Sequence, residues 1–363
     1  MDNIEERIKE IEEEIRKTPY HKGTEHHIGK LKARIARLKE EKIEKTFKAR
    51  GGGGGGYAVK KTGDATVVLV GPPSVGKSTL LNKLTNAESK VGAYDFTTLN
   101  VIPGMLDYKG AKIQIFDVPG IITGAAAGKG RGKEVLAVAR SADLIAVMVD
   151  LKTAKLIPAI ISELYGAGIR LNEKKPEVTI IRQPSGGIKI NATTSLKLSY
   201  DTIRELAGEF RLANAEVIIR EDISLDRLVD AFMANRAYLP FVVIINKADL
   251  GKASDLDRFL PEGTSPILIS AEKSDNLEEL KEKFWEKLGL IRVYLKEGDQ
   301  VDFQDPLIIE DGSSLGWILE NLAIHNKENL KKAKIYGPGA KYPGQEVSLS
   351  FIPHDETVVQ FLS

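Results

Sequence analysis

The stretch Gly71-Pro72-Pro73-Ser74-Val75-Gly76-Lys77-Ser78 lies between the apolar run Thr66-Val67-Val68-Leu69-Val70 and the helical run Thr79-Leu80-Leu81-Asn82-Lys83-Leu84. A β-branched run of this kind reads as a buried parallel strand, and the glycines after it let the backbone turn so that successive N–H groups converge. Such a cradle suits a phosphate chain. In it Pro73, Ser74, Val75 and Gly76 supply loop backbone, Lys77 reaches the β- and γ-phosphates, and the Ser78 hydroxyl ligates Mg²⁺, with Thr79 next on the helix. The alternative is a glycine-rich strand-to-helix turn without a ligand. The strand before it and the helix after it are the context that the phosphate loop requires.

The chain has 363 residues, more than one hydrophobic core usually holds, so two or more domains are expected. Lys+Arg 52 against Asp+Glu 51 leave a formal charge of +1, so the chain as a whole lacks the signature of a nucleic-acid coat or a membrane-surface protein. Neither DNA nor a membrane is an expected partner, and any RNA affinity has to be local. The absence of cysteine excludes a disulfide framework, thiol catalysis and cysteine-ligated zinc, and the five histidines form no zinc spacing. No apolar run reaches membrane-spanning length, and Met1-Asp2-Asn3-Ile4-Glu5-Glu6 lacks the basic region and apolar core of a signal peptide, so a cytoplasmic protein is expected.

Before the phosphate loop, Ile4, Ile8, Ile11 and Ile15 line one face of a helix that Thr18-Pro19 ends, and Ile28, Leu31, Ile35 and Leu38 line one face of a second. Residues 1–50 therefore read as a helical hairpin. Its arms differ in charge: residues 1–21 hold seven acids and four bases, residues 22–50 four acids and ten bases, with His26 and His27 added. Either the second arm docks on RNA or an acidic partner, or it is a solvated surface paired with an acidic neighbour. The six glycines Gly51 to Gly56 read by themselves as a flexible linker.

Beyond the loop, Tyr94-Asp95-Phe96-Thr97-Thr98-Leu99 reads as a polar and aromatic loop, in which either threonine could meet Mg²⁺ and a γ-phosphate. The strand Lys112-Ile113-Gln114-Ile115-Phe116 runs into Asp117-Val118-Pro119-Gly120, placing a carboxylate for Mg²⁺ and a γ-phosphate-sensing N–H at a strand's carboxyl end. Leu144 to Val149 and Phe241 to Ile245 are two more buried strands, the second ending in Asn246-Lys247-Ala248-Asp249. An aspartate there accepts two hydrogen bonds from guanine N1–H and its amino group, which adenine cannot offer. Pro266 to Ile269 leads to Ser270-Ala271-Glu272, whose backbone N–H groups can contact guanine O6. Five motifs in this order, all at strand ends, point to a Mg²⁺-dependent GTP/GDP site.

With these placed, the chain resembles the Obg-related group of translation-factor-like GTPases, and within it the developmentally regulated GTP-binding protein family, archaeal members included. The likeness rests on the glycine run with Tyr57, Lys61-Thr62-Gly63-Asp64-Ala65, the phosphate loop through Leu81, Phe96-Thr97-Thr98-Leu99, Pro119-Gly120-Ile121-Ile122, Gly128-Lys129-Gly130-Arg131-Gly132 and Gly168-Ile169-Arg170-Leu171-Asn172. It covers essentially the whole chain. The resemblance implies an α/β fold: a P-loop GTPase sheet over 63–165 and 236–289, a helical hairpin over 1–50, a fixed glycine-rich lead-in over 51–62, an inserted small α/β domain over 166–235, and a C-terminal β-grasp (TGS) domain over 290–363. It makes Thr98 the Mg²⁺-linked switch residue. The inserted segment carries strand candidates Ile180-Ile181 and Ile188-Lys189-Ile190 and helices from Ser199 and Ser224. It shows no paired carboxylates or metal spacing and is expected to be a partner or ribosome contact surface. In the last segment, Arg292 to Leu295, Pro306 to Ile309, Lys334 to Tyr336 and Val358 to Phe361 are short strands, with a helix around Leu315 to Leu322. Asn326 to Gln345 is shorter than in the family. Lys327, Lys331, Lys332 and Lys334 there read as an RNA contact or as a solvated helix end complementing the helix dipole.

The expected reaction is in-line attack of water on the γ-phosphate, with Mg²⁺, Lys77, Thr98 and the Gly120 N–H around it. Gly120 is followed by Ile121, where many GTPases place a water-orienting glutamine. Slow intrinsic turnover is therefore expected, assisted by a backbone group, a bound K⁺ or a partner residue, although K⁺-activated relatives usually have asparagine where this loop has Ser74. Arg131 reads as an internal arginine finger or an exposed loop arginine. The implied role is a switch acting on the ribosome or translating complexes, with a family-type regulatory protein as a further partner. The competing reading is a nucleotide-gated scaffold for RNA or protein that hardly hydrolyses. An ATPase conflicts with Asn246 to Asp249.

Overall fold

The computed structural model describes residues 2–48, 63–85, 102–118, 138–251, 256–298, 300–321 and 330–362. These fall into two compact units, one holding 2–48 and Ser162–Tyr238, the other 63–85, 102–118, 138–161 and the described residues from Leu239 onward.

The first unit starts with α1 (Asp2–Lys17) and α2 (Glu25–Lys48). Between them the Thr24 hydroxyl accepts from the His21 N–H at 3.1 Å and donates to the Pro19 carbonyl at 2.7 Å, closing the turn that Pro19 forces. The acidic first arm answers part of the second, with Glu14 on His27 at 2.9 Å and Glu12 on Lys39 at 3.2 Å.

The second unit is built on a sheet whose middle strands are mostly apolar because both faces are covered. Every residue of β1 (Ala65–Val70) is buried, and α3 (Lys77–Leu84) packs Leu80, Leu81 and Leu84 into the same core. There follow β2 (Ile102–Tyr108), β3 (Ala111–Asp117) and β4 (Leu144–Asp150), and then α4 (Ile157–Gly166). β1 lies between β3 and β4, parallel to both, with Val67 opposite Ile115 and Leu144. β2 is antiparallel to β3 and forms the sheet edge, which is where a strand containing Pro103 and Gly104 is tolerated.

The inserted segment completes the first unit with β5 (Ile169–Leu171), β6 (Val178–Arg182), β7 (Ile188–Ala192), α5 (Tyr200–Glu209), β8 (Ala215–Ile219), α6 (Leu225–Met233) and β9 (Ala237–Leu239). β8 runs between β6 and β7, antiparallel to the first and parallel to the second. Ser199 and Ser224 cap α5 and α6, their side chains accepting from Thr202 N–H at 3.1 Å and Arg227 N–H at 3.4 Å. The hairpin shares this core: Ile28 and Ala33 of α2 are buried with Ile203, Leu206, Leu225 and Leu228. Around that seam Lys30 pairs with Glu205 at 2.9 Å, Lys32 with Asp226 at 2.7 Å, and Arg37 donates to the Glu209 carbonyl at 2.7 Å. Each exposed pair contributes about 0–1 kcal/mol, whereas a fully buried aliphatic side chain contributes about 1.5–3 kcal/mol, so the apolar stripe holds the hairpin and the pairs fix its register. Lys30, Lys32 and Arg37 of the second arm thus face an acidic neighbour within their own unit. Arg170, from the Gly168-to-Asn172 stretch, is buried with its guanidinium on Asp230 and over the Tyr165 ring at 3.5 Å, and Arg236 adds a second contact to Asp230 at 2.8 Å.

β10 (Phe241–Asn246) and β11 (Ile267–Leu268) extend the large sheet beside β4, giving the order β11-β10-β4-β1-β3-β2. Behind them α7 (Leu277–Leu288) buries Leu280 and Phe284. The last strands are β12 (Leu290–Glu297), β13 (Gln300–Val301), β14 (Leu307–Glu310), β15 (Lys332–Tyr336), β16 (Gln345–Ser348) and β17 (Thr357–Leu362), with α8 (Leu315–Asn321) packed on them. β12 and β17 are parallel, and β15 is antiparallel to β17. Their core holds Ile291, Val293, Ile318, Ile335 and Val359. Lys332 and Lys334 lie on strand β15, not at the helix end expected for them, and Lys332 reaches Glu346 at 3.7 Å. Lys327 is outside the described residues.

The β2–β3 turn meets this second sheet. Lys109 and Gly110 both take positive φ, 51° and 86°, as a two-residue hairpin turn requires, and a Cβ on Gly110 would stand 2.5 Å from Pro306 Cγ. Beside it Tyr108 Oη donates to Glu282 at 2.7 Å and Lys109 Nζ to the same carboxylate at 2.8 Å. Gly110→Ala is expected to lower stability by about 1–3 kcal/mol through backbone strain and overpacking. Urea unfolding midpoints test this, and an unchanged midpoint would mean that the turn yields without resistance.

Candidate nucleotide site

Five strand ends of the large sheet, those of β1, β3, β4, β10 and β11, deliver the site residues to one edge. The loop after β1 alternates handedness: Ser74 has φ 62° and Gly76 φ 96°. Gly76 has no alternative, because a Cβ there would lie 2.4 Å from Asn246 Nδ2 as well as being strained. This conformation turns the loop N–H groups inward at the start of α3, the arrangement that binds anions. Lys77 is buried, and its ammonium donates to the carbonyls of Gly71 at 3.2 Å and Pro72 at 3.0 Å. Burial pulls its pKa down, against an opposite pull from the Asp117 carboxylate.

Ser78 Oγ donates to Asp117 Oδ2 at 2.5 Å. Asp117 is buried, and its other oxygen, Oδ1, has no hydrogen-bond partner among the described residues. A buried carboxylate oxygen left unpaired is costly unless a cation or a donor is meant to sit on it. A hydroxyl and a carboxylate, both hard oxygen donors on one edge of a phosphate cradle, suit Mg²⁺. The chemistry of Ser78 and Asp117 therefore fits this ion.

Asn246 at the end of β10 is 3% exposed, and its amide ties two loops together: Nδ2 donates to the Val75 carbonyl at 2.8 Å, and Oδ1 accepts from Ala271 N–H at 2.9 Å. Asn246 thus holds the phosphate loop and the Ser270-Ala271-Glu272 loop in register, with both ends of its amide engaged inside the protein. Lys247 takes φ 59° and sends its ammonium to the Ser74 carbonyl at 2.8 Å and to Asp150 Oδ2 at 3.3 Å. Asp249 is paired with Lys273 at 3.1 Å. Hydrogen bonds from Lys273 and then Ser270 hold its carboxyl below the ordinary 3.8, so it is an ionised, acceptor-only group at neutral pH. The Ser270 to Asp275 loop is closed by paired backbone bonds between those two residues, at 3.3 Å and 3.0 Å.

Pro73, Ser74, Val75, Gly76, Lys77, Ser78, Thr79, Asp117, Asn246, Lys247, Asp249, Ser270, Ala271 and Glu272 all lie on the second unit. Thr98 and Gly120 lie outside the described residues, as do Ile121, Arg131 and the glycine run. Two residues at this edge escaped the sequence reading, Asp150 and Thr153. Thr153 donates to Asp150 Oδ1 from its hydroxyl at 2.7 Å and from its N–H at 2.9 Å. Burial would raise the Asp150 pKa, but the bonds from Thr153 and Lys247 outweigh it and the carboxyl sits below its usual range. The available signal was positional: Asp150 ends an apolar strand, as Asp117 does.

A parallel sheet with a phosphate loop after β1, a serine-paired aspartate after β3 and Asn246-Lys247-Ala248-Asp249 after β10 defines a P-loop GTPase. Residues 66–183 match the family described as 50S ribosome-binding GTPase, and residues 185–290 match the C-terminal region of the MMR_HSR1 domain. The chain is 50% identical to a GTP-binding protein of Methanocaldococcus jannaschii over 95% of its length and 89% of the relative's. It is 40% identical to human developmentally-regulated GTP-binding protein 2 over 99% of both, and 41% identical to ribosome-interacting GTPase 1 of Saccharomyces cerevisiae over all of both. The chain belongs to the developmentally regulated GTP-binding protein family.

Proposed function

We propose that this GTPase hydrolyses GTP to GDP and phosphate as a Mg²⁺-dependent switch, slowly by itself, and that it works on the ribosome or on translating complexes in the cytoplasm. The observation that carries the hydrolytic reading is the buried Asp117 Oδ1, without a hydrogen-bond partner among the described residues, beside the Ser78 hydroxyl. Mg²⁺, when bound, supplies neutralisation of the charge on the β- and γ-phosphate oxygens. Ser78 and Asp117 would hold it, with Thr98 as the third protein ligand. The loop N–H groups and Lys77 then bind and orient the phosphate chain. Asp249 and the Ser270 to Glu272 backbone select guanine. In the reaction water forms a bond to the γ-phosphorus as the bond to the β–γ bridging oxygen breaks, and GDP leaves with that electron pair. The Gly120 N–H faces the γ-phosphate in this reading, while Ile121 has no group with which to aim the water.

The ribosomal part is supported by the names of the matching family and of the yeast relative. The inserted segment and the C-terminal sheet, read as a TGS domain, are the surfaces available for that contact and for a regulatory protein. Because α2 spends Lys30, Lys32 and Arg37 on the inserted helices, the hairpin offers RNA mainly its remaining bases. The second reading, a nucleotide-gated scaffold, is favoured by Ile121.

Phosphate release separates the two. Intrinsic turnover on the order of 10⁻³ s⁻¹ or slower is expected, with purified ribosomes raising it roughly tenfold or more. A rate that stays at the level of the Lys77→Ala variant with and without ribosomes would establish the scaffold.

A further inference from the structure

Two residues of the base loop reach the phosphate loop, Asn246 through its amide and Lys247 through its ammonium, which rests on two acceptors: the Ser74 carbonyl at 2.8 Å and Asp150 Oδ2 at 3.3 Å. Asp150 is itself fixed. Its Oδ1 accepts from the Thr153 hydroxyl at 2.7 Å, the Thr153 N–H at 2.9 Å and the Lys152 N–H at 3.1 Å, which leaves Oδ2 aimed at the lysine. The carboxylate is 13% exposed and the Lys247 side chain 39% exposed, so the pair is partly desolvated and less screened than a surface pair.

The backbone around Lys247 is held in the left-handed region, as is that of Ser74, the residue it contacts. Beside the Asn246 amide, the two strained loops are thus joined by a flexible four-carbon side chain, which has several rotamers to choose from unless something selects one. A carbonyl alone is a weak selector. A carboxylate anchored by three donors on the neighbouring strand end is a stronger one, because it sets a full opposite charge against the ammonium in a partly desolvated position.

We propose that Asp150 is a positioning residue for nucleotide binding: acting through Lys247, it keeps the base loop and the phosphate loop in the register that a guanine nucleotide spans. This rests on the GTP-binding reading. Asp150 touches no nucleotide in this account, and its effect is carried by the lysine alone.

The test uses the full chain and mant-GDP dissociation rates in four proteins: wild type, Asp150→Asn, Lys247→Met and the double variant. Asparagine at 150 can still accept the Thr153 and Lys152 donors through its oxygen, but it turns a donor toward Lys247. Its dissociation rate is expected to rise about tenfold, within the range measured for coupled neighbours. In the Lys247→Met background the same change is expected to have no further effect, because the ammonium it acts on is gone. Thermal midpoints taken alongside check that all four proteins are folded. An Asp150→Asn rate within twofold of wild type would overturn the proposal, and so would the same tenfold factor persisting on top of Lys247→Met, which marks Asp150 as a turn-former only. Failure of the wild-type protein itself to retain mant-GDP would overturn the GTP-binding reading and this proposal together.

Discussion

Asp249→Asn is expected to weaken GTP binding by about 10³-fold and to transfer preference to xanthine nucleotides. A carboxylate presents two acceptors, and guanine presents two donors to it, N1–H and the amino group. Asparagine keeps one acceptor and replaces the other with a donor, which then meets the guanine amino group head-on. Two charge-assisted hydrogen bonds at about 1.5–3 kcal/mol each are lost or reversed, which corresponds to roughly three orders of magnitude. Xanthine carries N1–H beside a carbonyl oxygen and so matches the asparagine edge. The Asp249–Lys273 pair is near the surface, so the variant is expected to fold with little loss of stability. Competition of GTP, XTP and ATP against mant-GDP reads the outcome; unchanged GTP preference would remove Asp249 from base selection. Because the Asp249 carboxyl is held below 3.8, guanine preference in the wild type is expected to stay flat from neutral pH down to about pH 5.

The second large effect is a trade between stability and function at Lys77. Its ammonium is buried against two carbonyls, and burial lowers its pKa. Lys77→Met keeps the aliphatic stem and removes the charge. GTP affinity is expected to fall roughly 10²- to 10³-fold, the scale for removing one charged donor aimed at an anion in a desolvated site. The nucleotide-free protein, by contrast, is expected to become more stable at neutral pH. The pH dependence has a definite sign. With the folded pKa below the unfolded 10.5, the folded state binds fewer protons in that window, so wild-type stability at this site rises with pH there. The variant's advantage is therefore full below the lowered pKa and shrinks as pH rises toward 10.5. Thermal midpoints of both proteins from pH 7 to 10 measure it; a variant less stable at pH 7 would mean that the two carbonyl contacts outweigh the desolvation.

The nucleotide machinery was readable because each part depends on local order. A phosphate loop needs its strand, its glycines and its helix within about twenty residues, and Asp117 and Asn246-Lys247-Ala248-Asp249 each follow an apolar run directly. The edge strand β2 was hidden by Pro103 and Gly104, which lower strand propensity but are accepted where one side of a strand has no partner. The central strand β8 was hidden for another reason. Ala215-Glu216-Val217-Ile218-Ile219 is short and holds a charge, and only its two neighbours, β6 and β7, make it the middle of a sheet. Asp150 looked like any aspartate after a strand, and its lysine lies 97 residues away.

Residue order alone determined the ligand class and the helical nature of the first 48 residues, and it pointed to Asp249 as the residue to test for guanine selection, since these follow from periodicity and from donor and acceptor chemistry at fixed spacing. It left open what the basic second arm of the hairpin faces, and it could not show that Asn246 is consumed in tying Val75 to Ala271, nor that one Asp117 oxygen has no hydrogen-bond partner among the described residues. Those are matters of which groups meet after burial. The carboxylates that answer Lys30 and Lys32, and the carbonyl that Lys247 reaches, come from segments about 170 to 195 residues distant in the chain, brought close by apolar cores that fix position without recording it in any local pattern.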